Sequence, residues 1–69
     1  MKCLIVIEPT GTGYSSYSPD LPGCVSTGKT RVECEANMHE AIEFQVNGLR
    51  EEGEPVPAAR TSAAFADVS

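Results

Sequence analysis

Thr30-Arg-Val-Glu-Cys-Glu-Ala-Asn-Met-His-Glu-Ala-Ile-Glu-Phe-Gln-Val-Asn-Gly-Leu-Arg-Glu-Glu-Gly53 decides the fold. Thr30 with Glu33 three residues later is the capping-box pattern, so a helix starts at Thr30. Cys34, Met38, Ala41, Ile42, Val46 and Leu49 recur at helical spacing, with Gln45 as the polar exception, and Gly53 with Pro55 stops the run. At 3.6 residues per turn this is one amphipathic helix of about six turns.

Strand signals precede it. Lys2-Cys-Leu-Ile-Val-Ile-Glu8 is rich in β-branched residues and ends at Pro9, which predicts a strand. Cys3, Ile5 and Ile7 would point one way and Leu4 and Val6 the other, so both faces need cover, and a single helix covers only one. Thr10-Gly-Thr-Gly13 supplies a tight turn, and Tyr14 to Ser18 reads as the returning strand of a β-hairpin. The Gly11-x-Gly13 pair lacks the third glycine and the following helix of a nucleotide fingerprint. Two prolines and a glycine make Ser18 to Cys24 a rigid corner, and Cys24 to Gly28 gives a short third strand. After the helix, Glu54-Pro-Val-Pro57 is an extended connector, and Thr61 to Val68 reads as a weak last strand. The expected fold class is α+β, in the order ββ-β-α-β, an antiparallel sheet backed by one long helix in a single domain over residues 1–69.

Sixty-nine residues at 7.3 kDa exclude a second domain. A hydrophobic share of 41% supports one thin core layer and argues against intrinsic disorder. A chain this short hides only about 60% of the surface its unfolded form exposes, which predicts a homo-oligomer, a dimer or tetramer, or a complex. No apolar run reaches the roughly 18 residues of a membrane span, and none has the shape of a signal peptide, so a cytoplasmic protein is expected.

Cys3, Cys24 and Cys34 form no metal-binding spacing and read as reduced core thiols; a thiolate paired with His39 is the chemical alternative. His39 lies four residues from both Glu35 and Glu43, a spacing that suits an ordinary surface pair as well as a proton-transfer or metal site. Met38 reads as core. The net charge of −5 falls entirely within residues 30–54, where seven glutamates face two arginines, while the flanking segments are neutral. Such a face repels nucleic acid, which needs clustered Lys and Arg, so no direct nucleic-acid binding by this chain is expected. It is either a solvated helix surface or a surface complementary to a basic partner.

Tyr17-Ser-Pro-Asp-Leu-Pro-Gly-Cys-Val25, Gly28-Lys-Thr-Arg-Val-Glu33 opening a helix, Glu40-Ala-Ile42, and Gly48-Leu-Arg-Glu-Glu-Gly-Glu-Pro-Val-Pro57 together resemble the HicB-like antitoxin family. The resemblance spans nearly the whole chain, with the proline corner, capped helix and proline exit in matching order. It implies a domain similar to a truncated ribonuclease H fold, with a fourth strand at the sheet edge. It also implies the antitoxin half of a toxin–antitoxin pair, which masks a small basic HicA-type mRNA-cleaving toxin. Many family members carry a C-terminal DNA-binding segment that represses their own operon; here the sequence ends at Ser69, and that activity is not expected. Glu35 stands where relatives usually place an aliphatic residue.

A ribonuclease H site needs several converging carboxylates around metal ions. The strand region offers only Glu8, Asp20 and Asp67, so no enzyme activity, catalytic residue, metal or cofactor is expected. The partner-binding candidates are Glu43 and Glu51 on the acidic helix, with Tyr17 and Asp20 at the corner; Asp20 has the alternative role of capping turn amides. The function read from the sequence is therefore an antitoxin-like binding protein. The alternative is a stand-alone oligomeric regulatory or ligand-binding domain of the same fold without a toxin partner.

Overall fold

The structure is a computed structural model that describes residues 2–69. Three short strands, β1 (Val6–Pro9), β2 (Tyr14–Tyr17) and β3 (Val25–Gly28), form an antiparallel sheet in the order β1-β2-β3, followed by the helix α1 (Arg31–Glu51). The three-stranded sheet with one long helix is the α+β arrangement expected from the sequence.

Local chemistry sets the boundaries. The Thr30 hydroxyl accepts the Glu33 amide at 3.1 Å, satisfying one of the free donors at the start of α1. At the other end Gly53 takes φ +70°; its amide donates to Arg50 O at 3.1 Å and the Glu54 amide to Leu49 O at 2.8 Å. Those two bonds form a Schellman cap, which the left-handed glycine makes accessible. In the hairpin, the Thr10 amide donates to Gly13 O at 2.8 Å and the Thr10 hydroxyl accepts the Gly13 amide at 3.1 Å.

The strand register fixes the two sheet faces. Ile7, Ser16 and Ser26 lie side by side across the sheet, as do Pro9, Tyr14 and Gly28. This set faces α1: an added Cβ on Gly28 would stand 2.5 Å from the Cys34 nitrogen, so the helix meets β3 backbone to backbone. Val6, Tyr17 and Val25 form the next row and point to the opposite face. The helix lies mainly over β3 and β2 and barely reaches β1. Asn37 Nδ2 donates to Thr27 O at 2.9 Å, tying α1 to β3.

The core is small: Leu21, Cys24, Cys34, Met38 and Val46 are its buried apolar residues, with Cys3, Ile5, Ala41, Ile42 and Val56 packed around them. Met38 and the buried thiols Cys24 and Cys34 are core, as their placement on the chain suggested. Leu21 comes from the proline corner, not from a strand or helix, and is completely buried. The corner closes as two successive turns, Leu21 N–H to Ser18 O at 3.2 Å and Cys24 N–H to Leu21 O at 3.1 Å, with Gly23 at φ +80°. Gln45, the polar break in the apolar stripe, donates to Pro22 O at 3.4 Å and so holds the corner against the helix.

Two strand expectations need correction. The strand read over Lys2 to Glu8 is paired only from Val6. Its partner β2 ends at Tyr17, because Ser18 turns into the corner and Pro19 has no amide to donate; the Ser18 hydroxyl instead donates to Leu4 O at 3.0 Å. The fourth strand read over Thr61 to Val68 does not form, and residues 61–69 are all exposed. Alanines are weak strand formers with little area to bury, and the Thr61 amide is drawn to the Asp20 carboxylate, not to a strand edge.

Candidate partner-binding surfaces

Three surfaces follow from this architecture. The first is the open sheet face, where Val6, Tyr17 and Val25 align across all three strands. Tyr17 is 43% exposed and Val25 66%, an apolar row that the described residues leave without a covering layer. The second is the outer surface of α1, where Glu33, Glu35, Glu40, Glu43 and Glu51 are all exposed. The third is a groove of about 440 Å³ between the start of the chain and the helix, lined by Cys3, Ile5, Ile42, Val46, His39 and Arg50 among others. It exists because α1 lies over β3 and β2 and leaves the β1 side of the core partly uncovered.

The candidate residues do not converge. Tyr17 belongs to the open sheet face. Glu43 and Glu51 stand on the helix, which covers the other face; Glu43 Oε1 lies 3.7 Å from His39 Nδ1, an exposed pair one turn apart. Glu35 makes no such pair with His39; it borders a shallow hollow with Ile5, Val32 and Ala36. Asp20 is engaged within the chain. Its Oδ1 accepts the Thr61 hydroxyl at 2.8 Å, and both carboxylate oxygens lie 3.2 Å from the Thr61 amide. Asp20 therefore clasps a residue 41 positions away and not the turn amides beside it. The Thr61 hydroxyl, followed by the Thr61 and Arg60 amides and the Arg60 charge, holds this carboxyl below its ordinary pKa, with desolvation opposing.

Sequence reading missed the Asp20–Thr61 clasp, for which the chain carries no local signal. It also missed the buried Leu21, for which an apolar residue between two prolines was the available sign. Burial, and secondarily the neighbouring Cys3, raises the Cys24 thiol pKa, which keeps it protonated and unreactive near neutral pH. Among the described residues no three His, Cys, Asp or Glu side chains gather as a metal site would require, and no helix is long and apolar enough to cross a membrane.

Comparison with known proteins places this geometry. A protein of unassigned function from the rep-hol intergenic region of Haemophilus phage HP1 is 43% identical over 53 residues, which cover 77% of this chain and 40% of the phage protein. The chain thus spans less than half the length of that relative. A UPF0150 protein of Thermoplasma acidophilum is 36% identical over 58 residues, covering 83% of this chain and 84% of its own length. Among solved structures, a chain of the HicA3 and HicB3 toxin–antitoxin complex superposes with a TM-score of 0.69 at 31% identity, over 86% of this chain and 72% of that one. The family model for the HicB-like antitoxin of bacterial toxin–antitoxin systems matches residues 3–68, and this chain belongs to that family.

Proposed function

We propose that this protein is an antitoxin that masks a small basic HicA-type mRNA-cleaving toxin, acting by binding and not by catalysis. The observation that carries this reading is the likeness, at 31% identity and over 86% of the chain, to a component of a toxin–antitoxin complex. The charge distribution supports it: a face that carries the whole net charge of −5 within residues 30–54 complements a protein surface built to hold RNA. In this reading Glu43 and Glu51 meet basic residues of the toxin. Tyr17 offers an apolar contact on the opposite face, and Asp20 contributes by fixing the tail beside the corner.

Binding kinetics against a HicA-type toxin test this reading. Reversing Glu43→Lys and Glu51→Lys should slow association and flatten its dependence on salt, because exposed rim charges act mainly on the on-rate. Unchanged association at two ionic strengths would reduce the acidic face to solvated surface. Absence of binding by the wild-type chain would remove the proposal.

A further inference from the structure

Gly48 and Phe44, one turn apart on α1, each break a rule that the packing of this chain would enforce. A glycine inside a helix weakens it relative to alanine, and its usual reasons are a positive φ or a close neighbour. Gly48 has neither: the left-handed glycines are Gly23 and Gly53, and a Cβ added at Gly48 would meet nothing within 4 Å among the described residues. Phe44 is 84% exposed, more than any other large apolar side chain of α1. Two such departures on neighbouring positions mark a surface shaped for something outside the chain.

Helical spacing shows what surrounds them. At about 100° per residue, Gly48, Glu33, Glu40 and Glu51 all fall within about 40° of Phe44 around the helix. The three glutamates are exposed. Arg31 and Arg50, the two arginines of α1, lie about 140° and 120° away, so this strip carries negative charge with no arginine beside it.

Side chains on a helix lean toward its N-terminus. The Phe44 ring therefore leans away from Gly48, while Glu51 leans back toward it. Over Gly48 the side-chain layer has a notch, bounded by the ring at one end and the Glu51 carboxylate at the other, within the roughly 10 Å of helix from residue 44 to residue 51. The missing Cβ lets a visiting group come down to the helix backbone.

The two walls select the visitor. An apolar side chain would suit the ring but would take water from Glu51 without replacing its hydrogen bonds. An acid would be repelled. A guanidinium suits both walls: its plane stacks on an aromatic face, its N–H groups pair with a carboxylate, and it is more weakly hydrated than an ammonium. We propose that the notch over Gly48 receives an arginine side chain of a basic protein partner, stacked on Phe44 and paired with Glu51. This deepens the proposed function and rests on it for the partner's identity, the arginine then belonging to the toxin.

Dissociation kinetics and a peptide probe test it. Phe44→Ala should release a HicA-type toxin about tenfold faster or more, with association unchanged within about twofold, because a buried anchor acts on the off-rate. Phe44→Tyr should release it at the wild-type rate, whereas Phe44→Leu, which keeps apolar area and loses the ring face, should not. Gly48→Ala should also release it faster, although its helix is the better formed. Circular dichroism should show all four variants folded. On the chain alone, a penta-arginine peptide should move the Phe44 ring and Gly48 amide resonances most, and penta-lysine should move them less. Toxin bound by wild type and released no faster by Phe44→Ala would overturn the inference and leave the antitoxin reading standing. Failure of wild type to bind toxin would remove that reading, and the peptide then decides the inference alone. Peptide shifts spread evenly over the exposed glutamates, or no shifts at all, would overturn it.

Discussion

Gly28→Ala tests the contact that positions the helix on the sheet. A Cβ at residue 28 would lie 2.5 Å from Cys34 N and 2.8 Å from Cys34 Cα, both backbone atoms that no rotamer change can move. Comfortable separations for such atoms are about 3.5–4.0 Å, so the first turn of α1 must retreat from β3 by roughly 1 Å. That retreat strains the Asn37 bond to Thr27 O and loosens Cys34 and Met38, both completely buried. Overpacking of this kind costs about 1–3 kcal/mol. For a chain of this size each kcal/mol shifts Tm by about 4–8 °C, so the variant should melt some 4–24 °C lower. Gly48→Ala is the matched control. Its Cβ would meet nothing within 4 Å and it lies inside α1, so helix propensity alone should raise stability by about 0.5–1 kcal/mol. Thermal denaturation followed by circular dichroism reads both. Equal melting temperatures for Gly28→Ala and wild type would refute the close backbone approach on which the sheet-face assignment rests.

Other substitutions probe the remaining supports. Gly23→Ala, at φ +80° in the corner, should destabilise by about 1 kcal/mol or more despite open space around it, and a chemical denaturation curve superimposed on wild type would contradict this. Leu21→Ala should cost about 2–5 kcal/mol in the same assay, since that side chain is fully buried. Ser16→Ala should be neutral or stabilising, because the buried Ser16 hydroxyl has no hydrogen-bond partner among the described residues; a loss above about 1 kcal/mol would reveal one. The Asp20–Thr61 clasp should open in acid: a carboxyl whose folded pKa is lowered contributes stability above its unfolded value of 3.8, lost as the pH falls through the folded value. The Thr61 amide resonance should therefore hold its position at neutral pH and move below about pH 4, and Asp20→Ala should show the opened position at every pH.

What the sequence revealed depended on how local each signal was. Thr30 and Gly53 act on amides and carbonyls within a few residues, and both ends of the long helix were legible from them. Strand propensity at Lys2 to Ile5 and at Thr61 to Val68 was also local, but a ladder needs a second edge, and β2 turns away at Ser18. Leu21 entered the core from a segment whose prolines marked a rigid corner, where no periodicity shows which side chain turns inward. Asp20 was read as a partner contact or as a cap on the turn amides, and its bond to Thr61, 41 residues along the chain, left no pattern to read. The helix glutamates were chosen by their charge and Tyr17 by its place beside Asp20, and the helix layer puts them on opposite sides of the sheet.

The proposed antitoxin role is tested most directly by RNA cleavage with a HicA-type toxin. A fixed amount of toxin is mixed with increasing amounts of the full chain, and the rate of transcript cleavage is followed. Masking predicts that cleavage falls to background as the chain reaches stoichiometric amounts, with the Glu43→Lys/Glu51→Lys variant requiring an excess. Cleavage that continues undiminished at a tenfold excess of wild-type chain would contradict it.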